Sequence, residues 1–196
     1  MIGTVAGVLF LLAVNFNFLW LFGGMPSLQE LENPKSQAAS LIISEDGQEI
    51  GKYFRENRNP LEFEQLPLNI VNTLISTEDA RFTSHSGIDL RSMFRVVFSL
   101  GTAGGGSTIT QQLAKNLFNT RSMEFGEDDP VYIGLLMKVD GLRTVIAKVK
   151  EWILAIRLER RYTKQEIMAM YLNEVSFGNN VYGIQVACRT YFQKDL

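Results

Sequence analysis

The first 29 residues carry no charged side chain, and this stretch limits what the chain can be more than any other feature. Within it, residues 2–22 form a run of 21 residues without a charge or a proline. A helix of that length rises about 30 Å, the thickness of a bilayer's hydrocarbon core. A signal peptide has a shorter apolar stretch and a small-residue cleavage site, and a buried core helix is hard to cover in so small a domain. We therefore predict a transmembrane anchor over residues 1–24.

The remaining 167 residues have the composition of an ordinary water-soluble domain. They hold all 40 charges, 19 basic and 21 acidic, so the chain has no overall field that attracts nucleic acid. Cys188 is the single cysteine and His85 the single histidine. These counts exclude an intrachain disulfide, a multi-cysteine zinc site and a histidine-rich metal site. We expect His85 to be a hydrogen-bonded structural residue and Cys188 a small apolar filler.

A connector and a small β-hairpin are predicted for residues 25–60. The apolar runs Leu41–Ile43 and Glu49–Phe54 flank the residues Glu-Asp-Gly, which form a turn. We expect these two runs to pair as antiparallel strands.

Residues 61–196 are predicted to form a mostly helical domain, because their apolar residues recur at three- and four-residue spacing. One helix begins near Leu90 and carries Phe94 on its buried face. A later, longer helix carries an apolar stripe that includes Ile146 and Val149. The predicted fold class is therefore mostly α, with a small β-hairpin and a preceding apolar helix.

The first polar cluster follows an apolar helix and contains Glu78 and Asp79. The partial negative charge at a helix C-terminus disfavours anions, so a carboxylate there takes up a proton more readily. That property suits a general base working near neutral pH. A solvated helix end explains the same acidic pair, so this pattern alone leaves a structural role open.

The second polar cluster lies where a glycine-rich loop meets a helix. Glycines 104–106 precede Ser107, a good N-cap, and such a junction exposes backbone N–H groups that can bind an anion. Thr108, Gln112 and Lys115 then share one helix face. The pattern lacks the Gly-Lys-Ser/Thr of a P-loop. A capped surface helix remains the alternative interpretation.

The third polar cluster lies on the long helix, where Lys148 and Glu151 share a face at a spacing of three residues. Taken alone, this pair is typical of an ordinary ion-paired helix surface.

Taken together and in this order, the clusters resemble the peptidoglycan glycosyltransferase family 51 domain. That domain occurs in class A penicillin-binding proteins and in monofunctional transglycosylases. The residues that match its four motifs are Glu78, Asp79, Phe82, His85 and Gly87; the unbroken run from Gly105 to Phe118; Lys148, Glu151, Ala155, Leu158 and Glu159; and Lys164, Ile167, Tyr171, Leu172, Asn173, Phe177 and Gly178. The match covers residues 60–194. One departure is Ala147, which stands where the third motif has arginine.

The resemblance implies a lysozyme-like helical fold and the polymerisation of lipid II into β-1,4 glycan strands, with inversion and release of undecaprenyl pyrophosphate. It implies that Glu78 is the general base on the attacking sugar hydroxyl and that Glu151 is the second catalytic carboxylate. The residues implied to bind the substrate are Asp79, Phe82, His85, Ser107, Thr108, Gln111, Gln112, Lys115, Asn116, Arg121, Lys148 and Lys150.

The resemblance also predicts the surroundings of such an enzyme. The expected partners are lipid II, the growing glycan strand, the membrane, a C-terminal transpeptidase domain and other cell wall synthesis proteins, but no nucleic acid. We expect no obligatory cofactor and no dedicated metal site, although Mg²⁺ or Mn²⁺ fits a pyrophosphate, with Glu151 as a candidate ligand. We expect a single-pass protein of the bacterial cytoplasmic membrane, with residues 61–196 on the periplasmic or extracellular side. Because the family continues through more helices, we expect that domain to be truncated at its C-terminus.

Two other functions remain open from the sequence. A lysozyme-like hydrolase or lytic transglycosylase would share the helical body and could use Glu78 with Glu151 as a carboxylate pair. The many cations and hydrogen-bonding groups argue against it, since cutting a neutral glycosidic bond does not require them. A noncatalytic membrane scaffold would have no reason to keep a carboxylate at position 78.

Overall fold

Helices account for most of the residues that the computed structural model describes, which are residues 2–27, 40–44, 46, 49–53, 61–98, 105–118, 120, 134–179 and 181–196. The described helices and strands are α1 (Ile2–Asn15), β1 (Ser40–Ile43), β2 (Glu49–Tyr53), α2 (Leu68–Glu78), α3 (Leu90–Phe98), α4 (Ile109–Leu117), α5 (Asp140–Arg161), α6 (Lys164–Glu174) and α7 (Ile184–Ala187). Short 3₁₀ turns lie at Phe18–Trp20, Phe63–Gln65, Phe82–Ser84 and Leu135–Lys138, and a π turn at Cys188–Phe192. The mostly helical prediction is confirmed.

The predicted β-hairpin is also present. Strand β1 pairs antiparallel with β2, with Ser40 opposite Tyr53 and Ile43 opposite Glu49. A one-residue irregularity between Ile42 and Ile43 shifts the register. Most of the predicted turn, Phe54 and the connector from residue 28 to 39 lie outside the described residues.

The main core forms where helices α4, α5 and α6 pack together. Ile109 and Leu113 from α4 meet Leu154 and Leu158 from α5, and all four are fully buried. Their spacing of four residues places each pair on one helix face, as the sequence pattern requires. Burying each of these side chains stabilises the fold by about 1.5–3 kcal/mol.

Two predicted helix faces differ from the structure. Leu90 and Phe94 of α3 are 61% and 60% exposed, so the face predicted to be buried is open. Ile146 and Val149 of α5 are buried, but in a second cluster apart from the main core. Helix α5 therefore has two apolar faces, and the second one is covered by the leader.

The apolar leader does not form the single 21-residue helix that its composition predicts. Helix α1 ends at Asn15, and Asn17 adopts a left-handed backbone conformation with φ of 48°. Asn17 Oδ1 accepts a hydrogen bond from the N–H of Phe22 at 3.1 Å, which closes a compact turn. In the part of the chain that the structure describes, no helix is both long and apolar enough to cross a membrane.

The leader packs instead along the second face of α5. Val14 and Phe22 are buried there against Ile146 and Val149. Polar contacts extend this packing, because Arg157 Nη2 donates to Asn15 Oδ1 at 2.8 Å. The leader is thus joined to the helix that carries the third motif.

Gly134 lies very close to the backbone of the leader. A Cβ atom at this position would lie 2.1 Å from the backbone nitrogen of Gly23. The neighbouring N–H of Leu136 donates to the carbonyl of Leu21 at 2.9 Å. Only a residue without a side chain fits between these backbones.

Candidate active site

An open cleft of about 620 Å³ lies between the end of α2, the start of α3 and the N-terminal part of α4. Most of the residues that line it are polar or charged. They are Ser76, Thr77, Glu78, Asp79, Ala80, Arg81, Asp89, Ser92, Arg95, Gly105, Gly106, Ser107, Thr108, Gln112, Lys115 and Glu151. The first three motifs therefore contribute residues to one cleft.

Glu78 is the last residue of α2, and its side chain is exposed in the cleft. Its Oε2 accepts a hydrogen bond from Gln112 Nε2 at 2.8 Å. The contact joins the first motif to the second across 34 positions of sequence. An exposed, oriented carboxylate of this kind can take a proton from a ligand hydroxyl.

Asp79 and His85 form a buried link beneath the cleft. His85 Nε2 lies 3.0 Å from Asp79 Oδ2, while His85 Nδ1 accepts from the N–H of Gly87 at 3.2 Å. Because Nδ1 is the acceptor, Nε2 carries the proton that is donated to the carboxylate. The same Asp79 oxygen accepts from the N–H of Ile109, so it ties the end of α2 to the start of α4. The hydrogen bonds expected of His85 are therefore present, and its predicted contact with the substrate stays a prediction.

Gly87 fixes the first residues of the second motif helix, α4, in place. Its carbonyl accepts from Thr108 Oγ1 at 2.8 Å and from Gln111 Nε2 at 3.2 Å. Gly87 has φ of +90°, and a Cβ there would lie 2.8 Å from the backbone of Ala155. Glycine is therefore required at this position. Thr108, rather than the predicted Ser107, is the N-cap of α4.

The third motif brings a lysine and a carboxylate to the cleft. Lys148 Nζ lies 2.6 Å from Ser107 Oγ and 3.0 Å from Glu151 Oε2. Glu151 is only 1% exposed, so the contact with Lys148 offsets part of the cost of burying this side chain. The arrangement presents a positive group beside the glycine-rich loop.

Arg81 and Arg95 are cleft residues that the sequence interpretation missed. Arg81 Nη2 donates to Asp89 Oδ2 at 2.6 Å and to Ser92 Oγ at 3.0 Å. Burial opposes the charge on Asp89, but the hydrogen bonds from Arg81 and Ser92 outweigh it and keep its pKa below the usual value. Arg95 Nη2 donates to the carbonyl of Gly105 at 3.3 Å. The only signal in the sequence was that Arg81 lies inside the first polar cluster.

A network of polar contacts joins the remaining motif residues outside the cleft. Lys164 Nζ donates to the carbonyl of His85 and to Glu159 Oε1, both at 2.7 Å. Glu159 Oε1 also accepts from Thr110 Oγ1 at 2.6 Å. The Lys164 ammonium lies 4.3 Å from the centre of the Phe82 ring. These contacts fix all four motifs relative to one another.

Several predicted substrate-binding residues lie away from the cleft lining. Phe82 is 1% exposed in the main core, Gln111 is fully buried beneath the loop, and Asn116 is exposed outside the lining. The prediction that Lys150 lies in the substrate site is corrected by the structure, because Lys150 Nζ donates to the carbonyl of Gly24 in the leader at 3.0 Å. Arg121 lies outside the described residues.

The fold and the cleft together define a helical domain in which one exposed carboxylate and several cationic side chains line the same cleft. Such a cleft combines a candidate general base with groups that can bind an anion. Comparison with known proteins agrees. A family model described as "Transglycosylase" matches residues 46–196. The chain belongs to the transglycosylase family.

The chain is similar in sequence to several known penicillin-binding proteins. The chain is 40% identical over 163 residues to penicillin-binding protein 1F of Bacillus subtilis, covering 81% of this chain and 20% of that protein. It is 33% identical over 196 residues to penicillin-binding protein 1A of Pseudomonas aeruginosa, covering 98% of this chain and 21% of that protein. It is 36% identical over 174 residues to penicillin-binding protein 1A of Escherichia coli, covering 87% of this chain and 18% of that protein. The chain thus spans about a fifth of the length of these relatives.

Proposed function

We propose that the chain is a peptidoglycan glycosyltransferase that polymerises lipid II into β-1,4 glycan strands and releases undecaprenyl pyrophosphate. The observation that carries the proposal is the cleft itself. Glu78, hydrogen-bonded to Gln112, lines the same cleft as the cationic side chains of Arg81, Arg95 and Lys115. Family membership over residues 46–196 supports the same reaction.

Glu78 acts as the general base in this proposal. A sugar hydroxyl is a weak acid, so the carboxylate must be close to it and correctly oriented as the new bond forms. Gln112 supplies the orientation through its 2.8 Å hydrogen bond. The 4-hydroxyl of the acceptor sugar loses its proton to Glu78, and its oxygen attacks the anomeric carbon of the donor from the face opposite the diphosphate, which inverts the configuration.

The cations of the cleft stabilise the diphosphate as it leaves. Arg81, Arg95 and Lys115 line the cleft, and Lys148 reaches it through Ser107. Positive groups that are already in place stabilise developing negative charge without further reorganisation. No acid is needed on the leaving group, because a diphosphate departs as an anion.

The polyprenyl substrate places the reaction at a membrane, and the leader suits that location. Leu9, Phe16 and Trp20 are 61%, 76% and 82% exposed on a segment without charges. Exposed apolar side chains of this size bind a lipid surface. We therefore propose that the leader holds the domain at the outer face of the cytoplasmic membrane. Cooperation with a penicillin-binding transpeptidase is part of the same proposal and is supported by the names of the relatives.

Metal ions enter the proposal only together with the substrate. Among the described residues, no group of three or more histidine, cysteine, aspartate or glutamate side chains could hold one. The Glu151 carboxylate is already paired with Lys148 at 3.0 Å. We therefore propose no obligatory cofactor, and assign Mg²⁺ or Mn²⁺ only the role of a counterion carried by the substrate diphosphate.

The decisive experiment compares Glu78→Gln with the unchanged chain in a lipid II polymerisation assay. Because the amide cannot accept the hydroxyl proton, we expect the rate to fall by about 100-fold or more. The melting temperature should stay nearly unchanged, since Glu78 is exposed. Glu64→Gln is the matched control, because Glu64 is an exposed carboxylate outside the cleft lining.

The alternatives give different results in the same experiment. Release of soluble fragments from finished peptidoglycan, without polymer growth from lipid II, would identify a hydrolase. Equal activity of Glu78→Gln and the unchanged chain would remove Glu78 from the reaction. If Glu78→Gln lost its fold together with its activity, Glu78 would have a structural role.

A further inference from the structure

Three side chains from three helices form a hydrogen-bonded chain that ends at Glu78. Tyr171 on α6 donates its hydroxyl to Gln112 Oε1 at 3.1 Å, and Gln112 Nε2 on α4 donates to Glu78 Oε2 at 2.8 Å. Tyr171 is 5% exposed, whereas Glu78 is exposed in the cleft. The chain of hydrogen bonds therefore runs from the protein interior to the carboxylate.

The direction of the donors in this chain follows from the chemistry of each group. An amide has an acceptor end and a donor end of nearly the same shape, so its contacts decide which end points where. Burial, with the nearby negative charge of Glu78, raises the pKa of Tyr171 to about 12. The phenol thus keeps its proton and donates it to the carbonyl end of Gln112. The NH₂ end is then left to face Glu78.

A reversed amide would work against catalysis. It would place Gln112 Oε1 against the ionised Glu78, so that two acceptors would face each other. A hydroxyl that holds Oε1 on the opposite side disfavours this arrangement. The hydrogen bond to Glu78 is charge-assisted and stronger than a neutral one, so the orientation of a single amide has a large effect on the carboxylate.

Packing does not account for the hydroxyl of Tyr171. Its ring belongs to the main core, together with Leu113 and Ile167. A phenylalanine ring would fill the same space, so the oxygen serves the contact with Gln112. We propose that Tyr171 is a positioning residue, which acts through Gln112 to hold the Glu78 carboxylate correctly directed for proton abstraction. The inference rests on the proposed function, in which Glu78 is the general base.

The test is the pH dependence of lipid II polymerisation by the Tyr171→Phe variant of the 196-residue chain. Loss of one hydrogen bond in a chain that ends at a charged group should lower kcat about tenfold at neutral pH and leave KM within about twofold. The acidic limb of the kcat profile should move upward by about half to one pH unit, because the ionised base has lost support. Tyr191→Phe is the matched control, since its exposed hydroxyl donates to the Phe177 carbonyl at 3.0 Å, outside the cleft lining.

We call the effect of Tyr171 on Glu78 through Gln112 the relay. A double-mutant cycle distinguishes this relay from a general effect of Tyr171 on packing. If Tyr171 acts through Gln112, Tyr171→Phe should change kcat by less than about twofold in a Gln112→Ala background. A tenfold loss in both backgrounds would overturn the relay. The relay would also be overturned if Tyr171→Phe lowered both the melting temperature and the activity while the acidic limb of the kcat profile stayed in place.

The proposed function and the relay fail under different results. If the unchanged chain forms no glycan polymer from lipid II, the proposed function is wrong and the relay falls with it. If the unchanged chain polymerises lipid II and Tyr171→Phe matches it at every pH, only the relay is wrong.

Discussion

Replacing Lys150 with methionine tests how the leader and the catalytic helix are joined. Lys150 is 1% exposed, and its ammonium donates to the carbonyl of Gly24 at 3.0 Å. Burial lowers the pKa of this lysine from 10.5 to about 8, because the charged form loses its hydration. Methionine has a similar length and removes the charge.

The pH dependence of stability follows from that lowered pKa. Between pH 8 and 10.5 the unfolded chain binds a proton that the folded chain does not, so the free energy of unfolding rises with pH through this window. Below pH 8 both states are protonated, and the full penalty of burying the charge is present. From pH 7 to pH 10 this penalty should shrink by about 2–3 kcal/mol, because the free energy of unfolding rises by about 1.4 kcal/mol for each pH unit inside the window.

Urea unfolding followed by tryptophan fluorescence, at pH 7 and pH 10 in one detergent, measures this change. The free energy of unfolding of Lys150→Met, relative to the unchanged chain, should fall by about 2–3 kcal/mol between the two pH values. Lys138→Met is the control, because Lys138 is exposed and its substitution should give a difference that does not change with pH. A pH-independent difference for Lys150→Met would refute the reasoning, since it would mean that the ammonium is hydrated in the folded chain.

Two further predictions test how the leader packs. Deleting residues 2–25 removes the buried side chains of Val14 and Phe22, so the free energy of unfolding in detergent should fall by about 3–6 kcal/mol. The rate of polymerisation should fall further in bilayers than in detergent. Equal losses of this rate in both media would contradict membrane attachment. Gly134→Ala should lower the free energy of unfolding by about 1–3 kcal/mol, because its Cβ meets the leader backbone. Gly141→Ala, which has nothing within 4 Å of its Cβ, should not; equal urea midpoints for both variants would contradict the packing.

The side chains of α5 illustrate what sequence spacing can and cannot predict. The spacing of Lys148 and Glu151 predicts a shared face, and the two side chains form an ion pair at 3.0 Å. The family resemblance places Lys150 in the same site, yet a residue two positions along a helix lies about 200° around its axis. Helix geometry therefore already places Lys150 and Lys148 on different faces of α5. Only the structure shows that the partner of Lys150 is the carbonyl of Gly24 in the leader.

The leader shows the opposite case, in which composition alone misleads. Its uncharged 21 residues predict one long helix, in which Asn15 and Asn17 are only weak polar interruptions. In the structure their side chains bind Arg157 and the N–H of Phe22, and the helix ends between them. One of these partners, Arg157, lies 142 positions away, so the apolar run by itself does not show where the helix ends.

The sequence by itself determined the helices after the leader, the β-hairpin, the family and the identity of the exposed carboxylate. Apolar periodicity, caps and turns act over a few residues, so they are readable without coordinates. The tertiary structure alone decided that Arg81 and Arg95 join the cleft, that Leu90 and Phe94 stay exposed, and that Tyr171 reaches Gln112. These contacts join residues from separate helices, and their geometry depends on how the helices pack, which no local pattern encodes.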